Sequence, residues 1–184
     1  MNKADLENDY LLNEQRALYL VNTVEEQTLY DIAAKLHYLR AKDADATIHL
    51  HVRSNGGDSL TGLAIANLIQ RDGNVTGWLM GAAASAAATI WASCAQRFVF
   101  FNGQMGIHPV RWYEEHVYFD AAKARTWAAQ LHKSDEKQCE LYAAASNQNF
   151  VWWWERYNQA GDMKWLEASE LIQIGMAKKA EDWK

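Results

Sequence analysis

Residues 47–95 read TIHLHVRSNGGDSLTGLAIANLIQRDGNVTGWLMGAAASAAATIWASCA. Thr47 to Val52 alternates, with Ile48, Leu50 and Val52 on one side, which is the period of a strand. Ser54-Asn55-Gly56-Gly57-Asp58-Ser59 follows as a tight turn, its two glycines open to backbone shapes closed to other residues. A helix is predicted from about Leu60 to Gln70 and a strand over Val75–Met80. Gly81 to Ala84 then reads as a small-residue turn, and Ser85 opens an alanine-rich helix to about Ala95. Upstream, Ala17–Val21 (ALYLV) reads as a buried strand. Thr23 with Glu26 three residues on reads as a capping box. Leu29, Ile32, Ala33, Leu36 and Leu39 mark one face of a helix ending near Lys42. Strand and helix thus alternate three times, the order of an α/β fold with parallel strands and right-handed crossovers.

Downstream the pattern changes. Phe98–Phe101 reads as a strand before the turn signal Asn102-Gly103, and Met105–His108 as a short strand closed by Pro109, the only proline. Trp112–Phe119 reads as a strand reaching outward. Asp120 to about Ser146 is a long helical stretch. A second helical stretch holds Val151-Trp152-Trp153-Trp154. Ala168–Ile174 is a short helix with Gly175 as its stop. No internal repeat or low-complexity linker divides the 184 residues, so one domain is expected over 1–184.

Bulk properties narrow the function classes. Apolar residues make up 49% of the chain, too many for a disordered polymer. The net charge of −5, with both signs interspersed, gives no electrostatic footprint for nucleic acid. The longest apolar stretch, Met80 to Ala95, is too short and too rich in alanine for a membrane span. Met1 to Glu14 has no apolar segment of a targeting signal. Two cysteines, Cys94 and Cys139, without metal spacing fit a reducing cytoplasmic setting. The abundant Trp and Tyr fit large buried contacts or an interface.

Three positions are candidates for chemistry. Ser85, between a strand and a helix, sees the free N–H groups of a helix start. It reads either as a helix cap or as a nucleophile whose oxyanion those groups would hold. Gly56-Gly57 reads as an ordinary turn or as a source of N–H donors to an oxyanion; it is not a phosphate loop. His108 sits at a strand end, where catalytic groups gather in parallel α/β folds. His49 and His51 share a strand face and would suit a metal, but no nearby Cys or carboxylate motif completes a set, so no metal is expected. No cofactor is expected either. The tryptophans at 152–154 and 165 read as core or interface.

In combination these segments resemble the Clp protease proteolytic subunit family, from about Leu11 to Ala177. The residues that carry the resemblance are Ser54-Asn55-Gly56-Gly57 after a strand, Met80-Gly81-Ala82-Ala83-Ala84-Ser85, and Met105-Gly106-Ile107-His108-Pro109. The resemblance implies a crotonase-like spiral of β-α-β units. It implies a head, about 11–111 and 150–184, and a protruding strand–helix handle, about 112–149. It implies a serine-type peptidase with Ser85 as nucleophile, His108 as base and the backbone N–H groups of Gly57 and Ala86 as oxyanion donors. For the third member, the segment before Trp165-Leu166-Glu167-Ala168 puts Met163 at the family's Asp position, with Asp162 one residue earlier; Asp162 is the expected partner of His108. Stacked homo-oligomeric rings enclosing the sites, unfolded or short peptide substrates and an ATP-driven AAA+ unfoldase partner are likewise implied. The few residues before Leu11 leave little for the loop that lines the family's axial pore. Two rival readings share the fold: a structural ring subunit without activity, for which Met163 speaks, and a coenzyme A thioester enzyme.

Overall fold

The computed structural model describes residues 3–112 and 120–183. Two short helices, α1 (Lys3–Asn8) and α2 (Tyr10–Glu14), precede the first strand, in a stretch whose polar sequence carries no clear period. Asp9 caps α2 by accepting from the Leu12 N–H at 3.0 Å. Then come β1 (Ala17–Leu20), α3 (Glu26–Lys42), β2 (Ile48–Ser54), α4 (Ser59–Asp72), β3 (Val75–Ala84) and α5 (Ala86–Ala92). The expected order of strand and helix is therefore present. β1, β2 and β3 pair in parallel, side by side.

Two local expectations are corrected. The cap of α3 is Glu25, not Thr23: the Glu25 N–H donates to Thr28 Oγ1 at 3.2 Å, and that hydroxyl donates to the Thr23 carbonyl at 3.0 Å. The chain needs Thr23 and Val24 to remain extended because Val24 bridges Gly57. Second, Gly81–Ala84 is not a turn. β3 runs on through Ala84, and there it exchanges one neighbour for another: Thr76–Leu79 pair with β4 (Gln96–Val99), while Ala82–Ala84 pair with β5 (Gln104–Ile107). The sheet forks at Met80–Gly81, which is how a β-α-β spiral turns its corner. The alanines are needed there because Ala83 and Ala84 are buried. Gln96–Val99 replaces the expected strand over Phe98–Phe101, and α5 stops at Ala92.

After the fork come α6 (Ala121–Ala144), α7 (Phe150–Asn158), β6 (Lys164–Glu167), α8 (Ala168–Gln173) and β7 (Lys178–Lys179). β6 is a strand that the sequence pattern does not announce; it lies antiparallel to β5, with Gly106 opposite Trp165. β7 closes the far edge beside β4. Gly175, at φ +70, ends α8 as expected. The strand expected over Trp112–Phe119 lies, beyond Trp112, outside the described residues.

α5 is the centre of the core, with all seven residues buried. A methyl on Gly62 of α4 would come within 2.8 Å of Ala86 Cβ, so the two helices cross at a distance only glycine allows. β2 turns Ile48, Leu50 and Val52 toward this core. α6 is different. It has 24 residues, a length of about 36 Å at 1.5 Å per residue, yet residues 121–130 are exposed apart from half-buried Trp127. Its C-terminal half packs through Asp135, Gln138, Cys139 and Tyr142. One end of α6 is therefore packed and the other exposed. No helix among the described residues is long and apolar enough to cross a membrane.

Candidate active site

Ser85 is the single residue between β3 and α5, and its backbone sits at φ 54, ψ −128. A non-glycine residue at positive φ costs free energy that the surroundings must supply. Here β5 supplies part of it: the Ser85 N–H donates to the Gly106 carbonyl at 2.8 Å. The Ser85 side chain makes no cap hydrogen bond to α5. Ser85 thus stands at the cap position without capping through its side chain, and it lines the adjoining pocket.

The Gly56-Gly57 turn is built against this serine. A Cβ on Gly56 (φ +91) would lie 2.5 Å from the Ala84 carbonyl and 2.8 Å from Ser85 Cβ; only glycine permits that approach. Gly57 is tied to Val24 through its neighbours, since the Val24 N–H donates to the Gly56 carbonyl and the Asp58 N–H to the Val24 carbonyl. In a parallel bridge of this kind the Gly57 N–H points away from Val24. Ala86 opens α5, so its N–H has no helical carbonyl to accept it. Ala86 follows Ser85 in the chain, and Gly57 lines the same pocket as Ser85.

His108 follows the last residue of β5. Its Nδ1 lies 2.7 Å from the Pro109 carbonyl oxygen. A carbonyl only accepts, so this contact takes a proton on Nδ1, and in the neutral ring that leaves the lone pair on Nε2. Gly57, Ser85 and His108 line one pocket of about 620 Å³. Its opposite wall is α6, through Leu131 and Ser134. α6 is thus part of the pocket wall.

Asp162 is not brought to His108. Its carboxylate is fully exposed and accepts from Arg111 at 3.1 Å, while the same guanidinium holds the Gly161 and Asp162 carbonyls at 3.0 Å. The physical reason lies next door. The Met163 thioether packs on β5, where a Cβ on Gly106 would meet its sulfur at 2.8 Å. With Met163 turned inward, Asp162 turns outward.

A different carboxylate, which sequence reasoning missed, approaches the histidine. Asp135 of α6 is only 8% exposed and accepts from the Val110 N–H at 2.7 Å. Burial pushes its carboxyl above the usual carboxylate range; the Val110 N–H, the Tyr157 hydroxyl and the nearby His132 and His108 pull the other way. A signal for it exists in the sequence. Leu131, Asp135, Gln138, Cys139 and Tyr142 share one helical face, and an acid within such a face is anomalous.

His49 and His51 do share a face of β2, but they belong to a second cavity of about 480 Å³ on the other side of the sheet. His49 Nδ1 accepts from Trp78 Nε1 at 3.1 Å, and His51 stacks between Tyr19 and Trp78. Burial, with the charge of His49 beside it, holds His51 down at a pKa of about 4. Among the described residues no group of three His, Cys, Asp or Glu is arranged to hold a metal ion. The family described as Clp protease matches residues 3–181.

Proposed function

Because the chain belongs to the Clp protease family, a family of peptidases, we propose that it is a serine peptidase acting through Ser85 and His108. The observation that supports this reading is the position of Ser85: a strained residue at the mouth of a pocket it shares with His108 and Gly57. Ser85 Oγ attacks the carbonyl carbon of a peptide bond as His108 Nε2 takes its proton. The oxyanion is held by the N–H groups of Gly57 and Ala86. The C–N bond then breaks, and His108 returns the proton to the leaving amine. Water repeats the sequence on the acyl-serine, regenerating the hydroxyl and releasing the acid. Asp162, on Arg111 here, would have to leave that ion pair to orient His108.

The substrate is an extended peptide or unfolded chain. The pocket between head and handle is a cleft for a strand, not for a folded surface. The exposed N-terminal half of α6 suits burial against other copies in a ring, which would enclose the site in a chamber.

The test is labelling of the purified chain with a fluorophosphonate probe, with Ser85→Ala alongside. Labelling of wild type and not of S85A, together with loss of unfolded-peptide cleavage in S85A, is expected. Cleavage that survives in S85A would sink the assignment. The outward turn of Asp162 favours one alternative, a structural ring subunit: such a chain would assemble normally and never label.

A further inference from the structure

We infer that Asp135 is the positioning carboxylate of His108 and acts on it through the peptide group that joins Pro109 to Val110. The inference rests on reading His108 as the base of the proposed peptidase. The geometry is a relay. Asp135 Oδ1 accepts from the Val110 N–H at 2.7 Å. The carbonyl of that same peptide unit, Pro109 C=O, lies 2.7 Å from His108 Nδ1. N–H and C=O of one peptide are conjugated across a planar unit. A hydrogen bond to an ionised acceptor at the N–H end is stronger than a neutral one. It polarises the peptide and makes the carbonyl a better acceptor at the other end. The imidazole is thus held with Nδ1 protonated and Nε2 free, and the imidazolium formed during attack is stabilised. These are the duties that a direct Asp–His contact performs in a serine protease.

The placement of the acid fits this duty better than a structural one. Capping one N–H needs only a neutral oxygen, and a buried carboxylate is a costly way to supply it. The groups that face Asp135 are His108 after β5, His132, Cys139 and Tyr142 on α6, and Tyr157 on α7. The arrangement also makes the handle a part of the catalytic geometry, because Asp135 belongs to α6 and His108 to the head.

Asp135→Asn tests the relay, since it removes the charge and keeps an oxygen for the Val110 N–H. Two readouts are taken on the full-length assembled chain. The first is the rate of fluorophosphonate labelling of Ser85 as a function of pH. D135N should lower it roughly 10–100-fold and shift its rise to lower pH by roughly one unit. The second is the tautomer and titration of His108 by NMR with labelled histidine, assigned with His108→Gln. Wild type should show the Nδ1–H form, and D135N should titrate lower. Equal labelling rates and equal His108 titration in D135N and wild type would overturn the relay while leaving the peptidase reading intact. A His108 titration that responds to D135N in a chain that never labels would keep the relay and sink the peptidase reading. A loss in Asp162→Asn larger than that in D135N would assign the duty to Asp162 instead.

Discussion

Replacing Gly56 by alanine tests the construction of the site most directly. The new methyl would lie 2.5 Å from the Ala84 carbonyl, 2.8 Å from Ser85 Cβ and 3.0 Å from the Ala86 nitrogen. None of these atoms ends a flexible side chain, so the backbone itself must shift. Positive φ adds about 1–2 kcal/mol for a residue with a Cβ, and the forced contacts add about 1–3 kcal/mol. The expected loss of stability is therefore roughly 2–5 kcal/mol. The shift falls on Ser85 and the Ala86 amide, the proposed nucleophile and oxyanion donor, where a displacement of about 1 Å can cost on the order of a hundredfold in rate. Gly73→Ala is the control: its φ is +75 and nothing lies within 4 Å, so it carries the backbone penalty alone. Urea unfolding of both variants gives the stability, and fluorophosphonate labelling of the folded fraction gives the reactivity. G56A should lose both, and G73A only the backbone penalty of about 1–2 kcal/mol. A G56A protein that unfolds and labels like wild type would refute the close packing of the glycine turn on Ser85.

Three further outcomes follow from charge and burial. His51 is neutral in the fold, with its pKa held near 4 against an ordinary 6.5. Its contribution is thus complete above that ordinary value and is lost as pH falls toward 4; the gap corresponds to about 3 kcal/mol, which partial exposure reduces to about 1–2 kcal/mol. His51→Phe should flatten this part of the acid loss, read from urea midpoints across that window; identical pH dependence in the two proteins would refute it. Asp135 has a raised pKa, so its protonated form is favoured in the fold and that advantage disappears as pH rises through the raised value. D135N should consequently be no less stable than wild type at neutral pH, with any gain closing in acid; a thermal melt showing D135N weaker at neutral pH would contradict this. Arg40 holds Asp72 in a two-pronged pair at 2.6 and 2.7 Å and reaches the Ala46 carbonyl at 2.5 Å, which ties α3 to the end of α4 and to the loop before β2. Arg40→Ala should cost about 2–4 kcal/mol in chemical unfolding and leave labelling per folded molecule unchanged; a loss under 1 kcal/mol would show the pair to be worth no more than a surface bridge.

Local chemistry in the sequence determines the first half of the fold. The alternation in β2, the apolar face of α3 and the turn at Gly56-Gly57 are properties of adjacent residues, and each states its element without help from the rest of the chain. The positions of Ser85 and His108 are legible for the same reason, because each stands at an element boundary marked by its neighbours. Only the tertiary structure decides what a residue meets across the fold. Gly81–Ala84 looks like a turn by composition, yet it is strand because β5 pairs with Ala82–Ala84 and β2 with Ala83. β6 has too little pattern of its own and exists because β5 offers an open edge. Asp162 stands one residue from the family's acid position, but Met163 takes the inward place and Arg111 takes the carboxylate. Asp135 lies 27 positions beyond His108, and only the tertiary packing of α6 brings its carboxylate to the Pro109–Val110 peptide that follows β5. Hydrophobic period and turn chemistry act over a few residues, whereas contact between distant side chains is set by how whole elements pack.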